Sequence, residues 1–395
     1  MARLAAFAAF LGVVILILGG LHAYLWLRLI HDPRWPAPWP RVGRIVLCVL
    51  GLSLPATFVL GRALPPAVSR VVLFVPYVWM GMMALGFFLT LAIDLLRGLA
   101  YGALFASGHG ASLDAGRRRL VARGIAAAVA AVIAVGTVVA VATALGPPSV
   151  RRLRIEVPDL PPRLSGFTLV QLTDLHLGPT LGEPWLRRVV DEVRALRPDL
   201  VVITGDLVDS SVPRLYPALA PLRDLRPPHG TFFVTGNHEV YAGLEEWLPA
   251  IERLGIRVLR NERVAIGRDG DSFDLVGVYD FGAGPHVPTP YRPDLPAALA
   301  GRDPHRAAVL LAHQPRAVAE AARLGVGLQL SGHTHGGQIW PWRYLVYLQQ
   351  PFVGGLHRVG PTQVYVSDGT GFWGPPMRLG TRPEITQVTL VSPAR

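Results

Sequence analysis

Lysine is absent from the 395 residues of this chain, cysteine occurs once, and charged side chains make up only 16%. A single cysteine, Cys48, excludes an intrachain disulfide and a thiolate metal cluster, and its place in an apolar run predicts a small buried hydrophobe. The scarcity of charge stands against a hydrophobic share of 51% and a mean hydropathy of +0.38. That balance excludes disorder over most of the length and speaks against one small water-soluble domain. All 38 basic residues are arginine, a compositional habit to which we attach no mechanism. Acidic residues are rare at one end: residues 1–150 hold 12 Arg against Asp32, Asp94 and Asp114, whereas residues 151–395 hold 26 Arg against 24 acids. The net charge of +11 therefore belongs mostly to the apolar part. The +2 that remains is too small and too interspersed to hold a phosphate backbone, so no nucleic-acid partner is expected.

Four apolar stretches, 4–27, 45–61, 71–93 and 124–146, approach or exceed the ~20 residues that cross ~30 Å of hydrocarbon as a helix. The first is an uncharged run of 24 residues, longer than a signal-peptide core, and is expected to stay as an anchor. The second is the shortest and carries Pro55, with Arg44 and Arg62 at its ends to snorkel. The fourth is built from small residues that allow close helix packing in lipid. Residues 1–146 thus read as a transmembrane region of an integral protein of a bacterial inner or cell membrane. With four spans, residues 28–44 and 97–123 share one side and hold nine Arg, against six on the other. The positive-inside rule then predicts a C-terminal domain outside the cytoplasm. His22 is the only ionisable residue well inside a span, and no inverted repeat is visible, so anchoring is expected rather than transport.

Residues 147–164, with Pro147, Pro148, Pro158, Pro161 and Pro162 around Arg151–Arg154, read as an extended linker. From 165 to 395 the pattern changes to short apolar runs alternating with amphipathic stretches. Strands are predicted at 168–172, 200–204, 231–235, 273–278, 307–312, 328–331, 363–367 and 387–391, and helices at 184–196, 212–225, 244–254 and 315–324. This is an α/β layered domain, in which strand carboxyl ends converge on one rim.

Five of those strands run into metal-type residues: Asp174 and His176, Asp206, Asn237 and His238, His313, and His333 and His335. In Asp174-x-His176 and His333-x-His335, residues two apart in extended chain point the same way. Glycines before Asp206, Asn237 and His333 permit close backbone approach. Oxygen and nitrogen donors without sulfur suit manganese, iron, zinc or magnesium, and eight donors are too many for one ion. Asp280 is a candidate for orienting a ligand histidine. His31, His109, His229, His286, His305 and His357 are expected on the surface.

The ordered series Asp174-x-His176, Gly205-Asp206, Gly236-Asn237-His238-Glu239, His313 and Gly332-His333-Thr334-His335 resembles the calcineurin-like metallophosphoesterase superfamily, over about residues 165–392. The run through Gln338, and Ser367-Asp368-Gly369-Thr370-Gly371 with Arg378, are similar to its membrane-associated branch. That branch includes transmembrane proteins with a metallophosphoesterase domain and proteins similar to UDP-diacylglucosamine pyrophosphohydrolases. The resemblance implies a β-sandwich flanked by helices and two divalent ions, manganese favoured. It implies that Asp174, His176, Asp206 and His335 hold the first, and Asp206, Asn237, His313 and His333 the second. Asp206 would bridge them and His238 would protonate the leaving group, making these two the catalytic residues. The expected activity is metal-dependent hydrolysis of phosphate esters or pyrophosphates in a phosphate-containing small molecule or a lipid-linked substrate. The alternative is a tethered, non-catalytic, metal-dependent interaction module. An aromatic segment from Trp340 to Leu348, with Phe352 and Phe372-Trp373, is read either as a membrane contact or as a lid over the core.

Overall fold

The four apolar stretches fold as helices that extend beyond the limits drawn from hydropathy. The computed structural model describes residues 2–107, 114–268, 270–282, 287 and 289–394, so His109 and His286 lie outside the described residues. The chain divides into two units, 1–141 and 142–395. The helices are α1 (Ala2–Trp26), continued by a π-helical turn over Leu27–His31, then α2 (Trp39–Ala63), α3 (Pro66–Ala106) and α4 (Ala115–Leu145). Each contains a segment long and apolar enough to cross a membrane. Cys48 is exposed on α2 rather than buried, because lipid offers an apolar side chain the same company as a helix interface.

Two polar knots join α1 to α3. The Trp79 indole donates to His22 Nε2 (2.9 Å), and His22 Nδ1 bonds to the Leu18 carbonyl (2.7 Å). Nearer the helix ends, Asp94 accepts from the Tyr24 hydroxyl (2.6 Å) and from Arg28 Nε (2.7 Å), while Arg28 also reaches Asp32 (2.8 Å). These partly buried charges are therefore paired, as charge in a membrane helix usually is.

The second unit contains, in order, β1 (Ser149–Glu156), β2 (Thr168–Leu172), α5 (Glu183–Ala195), β3 (Leu200–Thr204), α6 (Val212–Leu215), β4 (Thr231–Val234), α7 (Asn237–Glu252), β5 (Arg257–Val258) and β6 (Glu262–Arg268). There follow β7 (Asp271–Gly277), α8 (Leu295–Leu299), β8 (Ala308–Leu311), α9 (Val318–Arg323), β9 (Leu328–Ser331), α10 (Arg343–Val346), β10 (Gly355–Val359), β11 (Thr362–Val366) and β12 (Glu384–Val391). Two six-stranded sheets result, ordered β1-β12-β2-β3-β4-β5 and β10-β11-β9-β8-β7-β6.

Side-chain alternation explains the layers. Leu169, Leu200, Val202, Phe232 and Val234 pack between the sheets against Phe273, Leu275, Val309 and Leu330. Their neighbours Val170, Val201, Ile203 and Phe233 face outward onto Trp185, Val189 and Trp247 of the covering helices. On the far side, Val276, Ala308 and Leu310 meet Leu295, Ala298 and Ala321. The strands are apolar on both faces because both faces are covered.

Residues 149–156 are not a free linker: they form β1, paired in parallel with β12 from Ser149↔Glu384 to Glu156↔Val391. Leu153, Ile155 and Val157 alternate with exposed Arg152, Arg154 and Glu156, and Ile155 and Val157 are buried. The helix expected over 212–225 breaks into α6 and a 3₁₀ stretch, Tyr216–Asp224, where Pro221 removes a helical donor. Likewise 315–324 starts as a 3₁₀ turn before α9. Truncating Phe233, fully buried at the outer face of β4, should destabilise this unit by about 3–5 kcal/mol, measured as a lowered denaturant midpoint for its unfolding.

Candidate metal centre

β2, β3 and β4 run parallel as neighbours, as do β8 and β9. The chain leaves each ladder just before a candidate ligand: Asp174 and His176 follow β2, Asp206 follows β3, and Asn237 and His238 open α7 after β4. His313 follows β8, and His333 and His335 follow β9. The structure brings the aspartates and histidines of this series together, and Asn237 lies beside His238 at the start of α7.

The local conformation differs from the extended one the sequence suggests. Asp174, His176, Asp206, His333 and His335 have φ of 54°, 46°, 52°, 72° and 51° and are five of the ten non-glycine residues with positive φ among those described. The left-handed region costs an L-residue about 1–2 kcal/mol, and such strain gathers where function demands a geometry. Nor do His333 and His335 point alike: His333 Nδ1 lies 3.2 Å from His313 Nε2, while His335 Nε2 lies 3.0 Å from His176 Nε2. The glycines are sterically required, since a β-carbon at Gly236 would fall 2.1 Å from Asp206 Oδ1, and one at Gly332 would fall 2.2 Å from Asp174 Oδ2.

Two sets of ligand atoms converge, Asp174, His176 and His335, and Asp206, His313 and His333, with a third set of His176, Asp206 and His238. Asp206 Oδ2 lies 3.2 Å from His313 Nε2, 3.8 Å from His176 Nε2 and 4.0 Å from His238 Nε2. Asp174 Oδ1 lies 3.4 Å from His335 Nε2. The donors suit divalent cations on two further counts. Among the described residues, buried Asn237 Oδ1 has no hydrogen-bond partner, a loss of about 1–3 kcal/mol unless a ligand takes its place. His176 Nδ1 bonds to Asp209 (2.9 Å) and His313 Nδ1 to the Thr204 carbonyl (2.8 Å), which leaves both Nε2 lone pairs for an ion.

Electrostatics follow from burial and crowding. Burial works against the Asp206 carboxylate, but the charge and hydrogen bond of His313 hold its pKa well below the usual range. Burial and the nearby Asp206 charge push Asp174 up. Burial by itself would lower His238, yet its bond to Asp209 (2.8 Å) and the Asp206 charge push it up to about 9. Burial also opposes the Asp209 charge, but His176 and His238 bring its carboxyl down to about 2.

Asp209 is the residue that sequence reasoning missed. It lies three positions after Asp206 and grips both His176 and His238. Its signal was a lone acid continuing the Gly205-Asp206 loop. Glu239 accepts from the backbone N–H groups of Gly236, Asp206, Leu207 and Val208 and so clamps the β3 loop to the start of α7. Asp280 does not orient a ligand histidine: it is capped by Gly282 N–H and by Gln314 Nε2, while Thr204 holds His313. Arg378 is buried and donates to the carbonyls of Asp368, Gly369, Gly371 and His335, bracing the loop behind His335. The His238 ring is flanked by Tyr241 (5.4 Å) and Trp373 (5.8 Å).

This geometry, two packed sheets with Asp, Asn and His donors at their carboxyl rim, has a match among known families. The family model described as calcineurin-like phosphoesterase matches residues 167–337, which contain every candidate ligand named above. The chain belongs to the calcineurin-like metallophosphoesterases. A transmembrane protein with metallophosphoesterase domain from Bos taurus is 43% identical over 71% of this chain and 64% of its own length. Uncharacterized metallophosphoesterases are 35% identical in Aquifex aeolicus, over 61% of this chain and 91% of that one, and 32% identical in Bacillus subtilis, over 59% and 82%. The chain spans less than two thirds of the first curated relatives it matches, 64% of the bovine and 61% of the Danio rerio protein. Its four long apolar helices and these relatives make it a membrane protein.

Because Asp209 fixes two imidazoles at once, Asp209→Asn should lower activity about 10–100-fold, the range for losing such an outer partner. The Asn variant also removes the charge that raises His238, so the alkaline limb of the pH profile should move to lower pH, which steady-state kinetics across pH would measure.

Proposed function

We propose that the protein is a membrane-anchored phosphoesterase working with two divalent cations. Asp174, His176, Asp206 and His335 would hold one, and Asp206, Asn237, His313 and His333 the other. The observation that carries this reading is that Asp206 lies within reach of His176 from the first set and of His313 and His333 from the second, while buried Asn237 Oδ1 has no partner among the described residues. The donor set admits manganese, iron, zinc or magnesium. Such ions supply Lewis acidity toward phosphoryl oxygens and activate water near neutral pH.

The remaining chemistry belongs to the chain. Asp206 Oδ1 accepts the His238 backbone N–H (2.9 Å), so the residue that places cations also places the proton donor. His238, held by Asp209 and protonated below about pH 9, is positioned to give a proton to the leaving oxygen as the phosphorus bond breaks. Thr204 and Asp209 keep the ligand imidazoles in one tautomer. The substrate is a phosphate ester or pyrophosphate of an amphiphile near the bilayer, a reading supported by the four apolar helices. The arginine distribution supports a metal centre outside the cytoplasm.

Detergent-purified full chain should hydrolyse bis(p-nitrophenyl) phosphate or p-nitrophenyl phosphate when Mn²⁺ is added. Chelation should abolish the activity, and Asp206→Asn should lose both activity and bound metal. His238→Ala should lower turnover about 10²–10⁴-fold while metal content by elemental analysis stays near wild type. A folded, metal-loaded protein that cleaves neither ester refutes general phosphoesterase activity.

A further inference from the structure

The segment after the His335 turn remains to be explained. Trp342 is 51% exposed, Tyr344 62% and Leu348 81%, and Trp340 is also half exposed. They do not form a lid over the core, since only Ile339, Gln350 and Val353 of this stretch turn inward. The segment is fastened to the mouth of the metal centre. Gln338 donates to the Trp373 carbonyl (2.8 Å) and accepts the Trp373 N–H (3.0 Å), and Trp340 N–H donates to the Leu379 carbonyl (2.8 Å). Trp373, 55% exposed, has its ring 5.8 Å from that of His238. An apolar band therefore runs from α10 to the proton donor.

Soluble surfaces rarely carry such a band, whereas Trp and Tyr with flanking cations favour the headgroup layer of a bilayer. We propose that this band seats in the headgroup layer of the phospholipid bilayer that holds α1–α4. Two observations select that occupant. Only Gly146, Pro147 and Pro148 separate the end of α4 from β1, so a bilayer is always within reach of this unit at high effective concentration. In addition, no acidic residue occurs between Glu320 and Asp368, while Arg323, Arg343 and Arg358 do, a balance complementary to anionic headgroups. If the phosphoesterase reading also holds, a seated band presents the metal centre to phosphates of lipids lying in the membrane.

The test uses full-length protein in nanodiscs of phosphatidylcholine and phosphatidylglycerol. Cys48→Ala removes the one native thiol, and a fluorophore is placed at Leu348→Cys or, as control, at Arg188→Cys on the exposed side of α5. Lipids carrying a shallow acyl-chain nitroxide should quench the first label by roughly half or more, as for a group ~5–10 Å into the interface, and leave the second unchanged. Equal quenching of the two labels overturns the proposal. So does a blue-shifted but unquenched label at 348, which would mean that protein, such as a second copy, covers the band. As a second arm, Trp342→Ser/Tyr344→Ser/Leu348→Ser should keep hydrolysis of the water-soluble diester and lose about tenfold or more on a phosphomonoester lipid in the same discs. Quenching without any hydrolysis by wild type would retain the seating and refute only the phosphoesterase reading.

Discussion

Everything at the rim depends on holding one carboxylate, Asp206, in a buried space among imidazoles. Desolvation alone would neutralise it, so the site must surround it with compensating charge, and His313, His238 and His176 do so. That requirement reaches into the backbone. Gly236 must lack a side chain to let Asp206 Oδ1 approach, and Glu239 must gather four N–H groups to keep the β3 loop in place. Glu239 is itself pushed up to about 7 by burial and by Asp206, so the clamp and the carboxylate it serves are electrostatic neighbours.

The sandwich solves a problem of supply. One parallel sheet brings three adjacent strand ends to a rim, but the donors here come from five. Packing β8 and β9 of the second sheet against β2, β3 and β4 adds His313, His333 and His335 to the candidate ligands that the first sheet already places. Outside them, Asp209, the Thr204 carbonyl and Arg378 immobilise rings and loops without touching the same point in space.

What the sequence made legible, and what it hid, follows one physical line. The strands read correctly are interior ones, largely buried on both faces. The four that were missed, β1, β5, β6 and β10, are the four edges of the two sheets. Each carries arginine, among them Arg152, Arg257, Arg263 and Arg358, as edges that must stay in water do. The order of candidate ligands along the chain was readable because the first donor sits two or three residues past the end of each strand. Their left-handed backbone was not, because only tertiary packing forces Asp or His into it. Asp209 escaped because its role is to touch a candidate ligand, His176, and its neighbour His238 rather than to be a ligand itself, and Cys48 faces outward because its surroundings are not water.

The pairing of β1 with β12 joins residues more than two hundred positions apart at one edge of the first sheet. Such long-range pairing is slow to form and cannot begin until both partners exist. During synthesis, β1 would emerge behind the last membrane helix and wait, its inner face open, while the whole ligand-bearing core is made. The strand that completes the sheet then enters between β1 and β2, so assembly of this unit ends beside the point where it began, and loss of β12 would leave β1 without a neighbour and turn β2 into an edge.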